Sequence, residues 1–266
     1  MYLLLFIETK SFNKFQLISS KIPYLPKKII HKKSKFSYDM DYYENNFLTN
    51  KECINLFPAG LRGYYDLGTV VFLKEFYDLS NYVICGASAG AWNTLPLTYK
   101  KNTNHFTLSL LNQIANNFTG NSIYEQQLFL KDYFLNNYKF DDFYLDDTFI
   151  SVAVKKNNKF LSHLYTEFED LEDYLDCCMA SSNIPLITGP RKLIYDNNCV
   201  FDGVFNKKPF FENTPIKLDI KYDMWLNDSM DSEFYNIKNL DSEKSFLSGY
   251  NDCLNNKEEL DKLFDK

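Results

Sequence analysis

Ser88 lies at the centre of Gly86-Ala87-Ser88-Ala89-Gly90, with Gly or Ala at all four flanking positions. A serine at a sharp strand-to-helix turn takes a strained backbone conformation, and its neighbours must be small for strand and helix to approach closely. The pentad therefore reads as a nucleophile elbow; a GxSxG run without context is also compatible with a tightly packed turn around a structural serine. Tyr82-Val83-Ile84-Cys85 before it is a fully apolar run expected to be a buried strand. Ala91-Trp92 open an expected helix, whose first amides favour negative charge developing at the serine.

A histidine-free mechanism is the simpler reading for the activation of Ser88, because a triad in hydrolase order would need its acid between Ser88 and His105 or His163, which leaves little chain. The histidines are His31, His105 and His163, and none follows Asp202, whereas the α/β-hydrolase arrangement runs serine, acid, histidine. Val200-Phe201-Asp202-Gly203 offers an alternative. An acid at the end of a buried strand, beside a glycine that permits close approach, could reach the serine hydroxyl directly and act as base if burial raises its pKa. Alone, an Asp-Gly pair is more often a turn. A third element, Pro58-Ala59-Gly60-Leu61-Arg62-Gly63, falls between an expected strand and an expected helix. Its amides can face a shared anion, and losing one oxyanion donor typically costs about 3–4 kcal/mol of transition-state stabilisation. Arg62 would add positive charge or pin the loop.

The elements that must position these residues alternate in type. Ile54-Asn55-Leu56-Phe57 reads as a short strand, and Leu67, Val70, Val71, Leu73 and Phe76 recur at helical spacing to about Asp78. The stretch 98–147 is mixed and mostly helical. Residues 149–154 and 160–165 read as two strands joined by a polar turn, a helix is expected over 169–182, and 193–195 and 200–201 flank a turn at Asp196-Asn197-Asn198. Residues 221–266 are polar with a helical tail. Strands alternating with helices point to an α/β fold with a mainly parallel sheet.

An apolar share of 45% and 24% charged residues suit a globular chain. The net charge of −6 argues against a generic nucleic-acid binder, whose phosphate contacts need a concentrated basic surface. Charge is uneven, however: residues 1–40 hold eight lysines against Glu8 and Asp39, about +6, leaving about −12 for the rest. Residues 1–50 thus read as a basic N-terminal extension and 51–266 as the main domain. Lys27, Lys28, Lys32, Lys33 and Lys35 would draw the chain peripherally to anionic membranes, a solvated arm being the alternative. Cys53, Cys85, Cys177, Cys178, Cys199 and Cys253 form neither CxxC pairs nor a disulfide-scaffold spacing, so reduced thiols and a cytoplasmic location are expected. No run approaches the roughly 20 apolar residues that span a bilayer.

Taken together, the three motifs resemble the patatin-like phospholipase family, whose pattern is a G-G-G-x-[RK]-G loop, a G-x-S-x-G elbow and a later D-G-[GA]. The corresponding residues are 58–63, 86–90 and Asp202-Gly203-Val204, and Cys178-Met179-Ala180-Ser181-Ser182-Asn183-Ile184-Pro185 is similar to the family's small-residue helix end before the aspartate. The resemblance covers roughly 53–210. It implies a three-layer α/β/α fold and a Ser88–Asp202 dyad, with Ala59, Gly60, Leu61, Arg62 and Gly63 forming the oxyanion loop and Gly86 and Gly90 the elbow. It further implies hydrolysis of phospholipid or neutral-lipid esters without metal or cofactor. A small-ester or thioester hydrolase, or a silent lipid-binding or interaction protein on the same fold, are the alternatives. Two departures stand out. Pro58 and Ala59 replace glycines, Pro58 removing one donor, and Val204 replaces a small residue and is expected to crowd the dyad.

Overall fold

The structure is a computed structural model that describes residues 44, 48, 50–157, 159–225, 237 and 240–265. Lys27, Lys28, Lys32, Lys33 and Lys35 lie outside the described residues. The apolar runs read above form buried strands: β1 (Cys53–Leu56), β2 (Val83–Ala87) and β3 (Thr148–Lys156), followed by β4 (Lys159–Tyr165), β5 (Leu193–Tyr195), β6 (Asn198–Phe201) and β7 (Ile216–Ile220). They make one sheet in the order β5-β6-β3-β2-β1-β7, with β4 on the other edge of β3. The β3-β2-β1-β7 core is parallel; β4, β5 and β6 join antiparallel.

Seven helices accompany the sheet among the described residues: α1 (Gly63–Phe76), α2 (Ala89–Thr98), α3 (Thr103–Asn117), α4 (Ile123–Asn137), α5 (Leu171–Ser181), α6 (Ser242–Asn255) and α7 (Lys257–Leu263). Side chains with N-capping chemistry decide several boundaries. Asn102, Ser122, Asp170 and Asp241 each accept a main-chain N–H from the first turn of the helix that follows, satisfying a donor that has no partner within the helix. The mixed stretch 98–147 resolves in this way into α3 and α4. Helix α1 begins at Gly63, four residues before the apolar periodicity starts, because Tyr65 and Asp66 are buried as well.

Residue alternation gives the sheet two faces. Ile54, Ile84, Ile150 and Val152 share one face with the apolar sides of α1, α2, α5 and α6. Cys53, Cys85 and Phe149 share the other, under Phe210, Phe211 and Leu48. Glu44 ties down that second layer by accepting the N–H groups of Asn213 and Thr214 at 2.8 and 2.9 Å. The chain is an α/β protein with a mainly parallel central sheet, in keeping with a three-layer plan.

One feature of the register sets the site. Strand β4 occupies one edge of β3 from Ile150 to Lys156. On the opposite edge β2 pairs with β3 up to Ala87↔Ser151, while β6 arrives from the other direction and pairs at Ala153↔Phe201. The two strands meet end to end beside Ser151 and Val152, so the residues that follow them, Ser88 and Asp202, converge.

Candidate active site

Ser88 is the hinge between β2 and α2, with φ 55° and ψ −123°, a region that non-glycine residues rarely occupy and that must be held by its surroundings. Close packing does part of this. A Cβ on Gly90 would lie 2.1 Å from the Leu56 carbonyl oxygen, so α2 can cross β1 only with glycine there. The Ser88 N–H donates to the Ser181 hydroxyl at 2.8 Å, and its Oγ donates to Asp202 Oδ2 at 2.7 Å, joining residues 114 positions apart.

Asp202 is held from several sides. Its main-chain N–H donates to the Asn183 carbonyl at 2.8 Å, and its Oδ1 accepts the Val204 N–H at 2.8 Å. The carboxylate is almost wholly buried. Burial pushes its pKa up to about 7, against the opposing pull of the hydrogen bonds from Val204 and Ser88. Val204 steadies the carboxylate through its amide, lines the cavity beside Asp202 and is 51% exposed.

The loop before α1 approaches the elbow because Gly63 packs on Ala89, where an added Cβ would come within 2.7 Å of the Ala89 Cβ. Asn93 Nδ2 also donates to the Gly63 carbonyl at 2.8 Å. Within the loop, Gly60 has φ 56° and opens a single turn of 3-10 helix (Gly60–Arg62). Arg62 and Gly63 are corrected as oxyanion donors. The Arg62 N–H donates to the Ala59 carbonyl and the Gly63 N–H to the Gly60 carbonyl, so the turn itself engages both. The Arg62 guanidinium stacks 4.6 Å from the Tyr222 ring centroid, which suits the loop-pinning role. The amides of Ala59, Gly60 and Leu61 meet no acceptor among the described residues, and neither does that of Ala89 at the start of α2.

These groups border a cavity of about 360 Å³. Ser88, Asp202, Ala59, Gly60 and Leu61 lie on its wall, and Pro96, Leu110, Ile114, Ile123, Leu130 and Phe134 make the remainder largely apolar. Pro58 also lines it, as a residue with no N–H to offer. His105 is an exposed residue of α3, and His163 lies on β4, beyond β3 from Ser88 and Asp202; neither lines the cavity. Among the described residues no group of three or more His, Cys, Asp or Glu converges as a metal site would require, and all six cysteines are free thiols. No helix among the described residues is long and apolar enough to cross a membrane.

Two residues with positioning roles were not identified from the sequence. Ser181 joins the Ser88 amide to the Ser151 carbonyl, and Asn183 supports β6 by donating to the Val200 carbonyl at 2.9 Å. The small-residue run 178–185 was the available signal, but small residues announce close packing and not which group is being held. The cavity wall from α3 and α4 was likewise unreadable without the packing of those helices.

The patatin-like phospholipase family profile matches residues 59–220, from the loop beside the elbow to the last residue of β7 and more than half of the chain. No curated protein matches the chain closely enough to serve as a relative. With both the family match and the mainly parallel α/β architecture in place, the chain belongs to the patatin-like phospholipase family.

Proposed function

We propose that the chain is a serine lipid acyl hydrolase that cleaves carboxylic ester bonds of phospholipids or neutral lipids through Ser88 and Asp202. The observation that carries this reading is the 2.7 Å hydrogen bond from Ser88 Oγ to Asp202 Oδ2 at the wall of an apolar cavity. A carboxylate with a pKa near 7 is matched to proton transfer near neutral pH.

In the first half-reaction Asp202 accepts the hydroxyl proton as Ser88 Oγ attacks the acyl carbonyl. The resulting oxyanion is held by amides among Ala59, Gly60, Leu61 and Ala89 and by the N-terminal end of α2. Collapse breaks the ester C–O bond, Asp202 returns the proton to the leaving alkoxide, and the acyl group stays on Ser88. Water then enters, gives its proton to Asp202 and attacks the acyl-enzyme; Asp202 returns the proton to Ser88 as the fatty acid leaves. The acyl chain occupies the space bounded by Pro96, Leu110, Ile114 and Phe134. A volume of about 360 Å³ is in the range of small-molecule pockets.

Labelling with a fluorophosphonate probe, lost in Ser88→Ala, tests the nucleophile. Incubation with a mixed lipid extract, with Asp202→Asn as control, tests the reaction. Serine-dependent fatty-acid release is expected. Absence of labelling in a folded wild-type protein would instead favour a silent lipid-binding or interaction protein, and turnover confined to short soluble esters or thioesters would remove the lipid assignment.

A further inference from the structure

Strand β3 continues past the elbow. Its residue Ser151 is level with Ala87, and Lys156 lies five positions further on, which at ~3.3 Å per residue carries the β3–β4 hairpin tip roughly 16 Å beyond the site. The tip projects beyond the carboxyl ends of the parallel strands, the end at which Ser88 sits. It bears exposed Lys155, Lys156 and Lys159. On a half-buried strand apolar residues normally face inward, yet Phe160 and Leu161, which point to opposite faces, are 41% and 44% exposed.

The turn after Asp202 completes the same surface. Phe205 stacks on Phe160 at 5.2 Å with 17° between the rings, and Phe201 meets Phe160 edge-on at 5.1 Å. Exposed Lys207 and Lys208 follow, Lys208 paired with Glu212. Val204 is both half exposed and part of the cavity wall, so the patch is continuous with the mouth. Residues 153–161 and 203–209 contain five lysines and no acid, on a chain of net charge −6. Exposed Phe160, Leu161 and Val204, flanked by exposed lysines, complement a surface with an apolar interior and an anionic rim.

We propose that the β3–β4 hairpin tip and the turn after Asp202 dock onto an anionic lipid bilayer and seat the cavity mouth against it. None of the residues of this surface belongs to the N-terminal extension. Its purpose rests on the lipid-hydrolase reading, but its binding is measured without turnover.

The test is co-sedimentation of the full-length chain with phosphatidylcholine vesicles with and without phosphatidylglycerol. Wild type is expected to bind the phosphatidylglycerol vesicles preferentially. Combined Lys155→Glu, Lys156→Glu and Lys159→Glu should lower partition by at least about a hundredfold at low salt, since loss of each lysine alone is roughly a fivefold effect and each added glutamate is repelled as well. Phe160→Ser should weaken binding that survives high salt. Both variants should keep wild-type circular dichroism and short-chain soluble ester turnover. Unchanged vesicle binding in the folded triple variant would overturn the proposal, as would loss only when Lys27, Lys28, Lys32, Lys33 and Lys35 are changed to Ala. Equal affinity for soluble polyglutamate would overturn the lipid assignment. If wild type shows no ester turnover but the triple variant still loses vesicle binding, the surface stands and the hydrolase reading falls.

Discussion

The Ser88 N–H and the Ser181 hydroxyl are 2.8 Å apart, and the same hydroxyl donates to the Ser151 carbonyl at 2.6 Å. Ser181 sits where β2 has ended and β6 has not yet begun to pair with β3. A wholly buried side chain thereby supplies, at that gap, the hydrogen bonds that a continuous strand would have provided. It also holds the amide of a residue whose φ is positive.

Ser181→Ala removes an acceptor and a donor together and leaves a buried N–H and a buried C=O without that partner, each costing about 1–3 kcal/mol. The expected outcome is a lower melting temperature and a kcat on a soluble ester reduced by roughly 10–100-fold, with KM little changed because Ser181 does not line the cavity. Thermal denaturation and steady-state kinetics on the same preparation check this. An unaltered kcat would mean that the elbow holds its geometry without Ser181.

Asp202 gives a pH dependence of definite sign. In the proposed mechanism the base is the Asp202 carboxylate, and burial pushes its pKa up to about 7, so kcat/KM on a soluble ester should rise with pH and reach half its plateau near 7. The same shift makes a stability statement. The folded state holds the proton more tightly than the unfolded chain, so the contribution is fully present below pH ~4 and is lost as pH rises through 7. Asp202→Asn should therefore abolish turnover while unfolding at a higher temperature than wild type at pH 8, with a smaller difference at pH 5. Equal stability differences at the two pH values would count against a buried, protonatable carboxylate.

Much of this arrangement was legible from local pattern. The apolar run before Gly86 and the small residues around Ser88 place a strand, a sharp turn and a helix in order, and the strand before Asp202 is short and apolar. The end-to-end meeting of β2 and β6 was not legible, because it depends on which edge of β3 each strand takes, and sequence periodicity reports faces and not edges. The boundaries of α3 and α4 depend on single capping residues, Asn102 and Ser122, in a stretch rich in other Asn. The sequence pattern marks all five residues of 59–63 alike as candidate oxyanion donors. Only the 3-10 turn shows that Arg62 and Gly63 have their amides engaged.

Two glycines should separate a functional requirement from a structural one. Gly60 needs its left-handed φ of 56°, and an alanine there costs about 1–2 kcal/mol or turns the loop amides away from the cavity. Gly60→Ala should remain soluble and folded but lose at least about tenfold in kcat. Gly90→Ala would place a methyl 2.1 Å from the Leu56 carbonyl oxygen, which requires α2 to move off β1, and should fail to give folded protein. Expression, circular dichroism and soluble-ester kinetics distinguish the two cases; a soluble, active Gly90→Ala would show that the crossing can relax.

The cavity wall formed by α4 has its own anchor, Lys131. Its ammonium is buried between α4 and α5, paired with Asp176, and reaches Glu172 at 3.1 Å; the Lys131 and Asp176 side chains are only 4% and 8% exposed. Breaking such a pair from one side leaves a buried charge without its partner and typically costs about 3–5 kcal/mol, whereas replacing both members with apolar residues of similar size is often neutral or stabilising. Lys131→Met should therefore destabilise strongly, and adding Asp176→Leu should recover most of the loss, a non-additivity that a double-mutant cycle in urea measures directly. Because Ile123, Leu130 and Phe134 line the cavity from the same helix, loosening α4 should raise KM for long-chain esters more than for short-chain ones. Equal effects on both chain lengths in a folded Lys131→Met protein would place the acyl chain elsewhere than against α4.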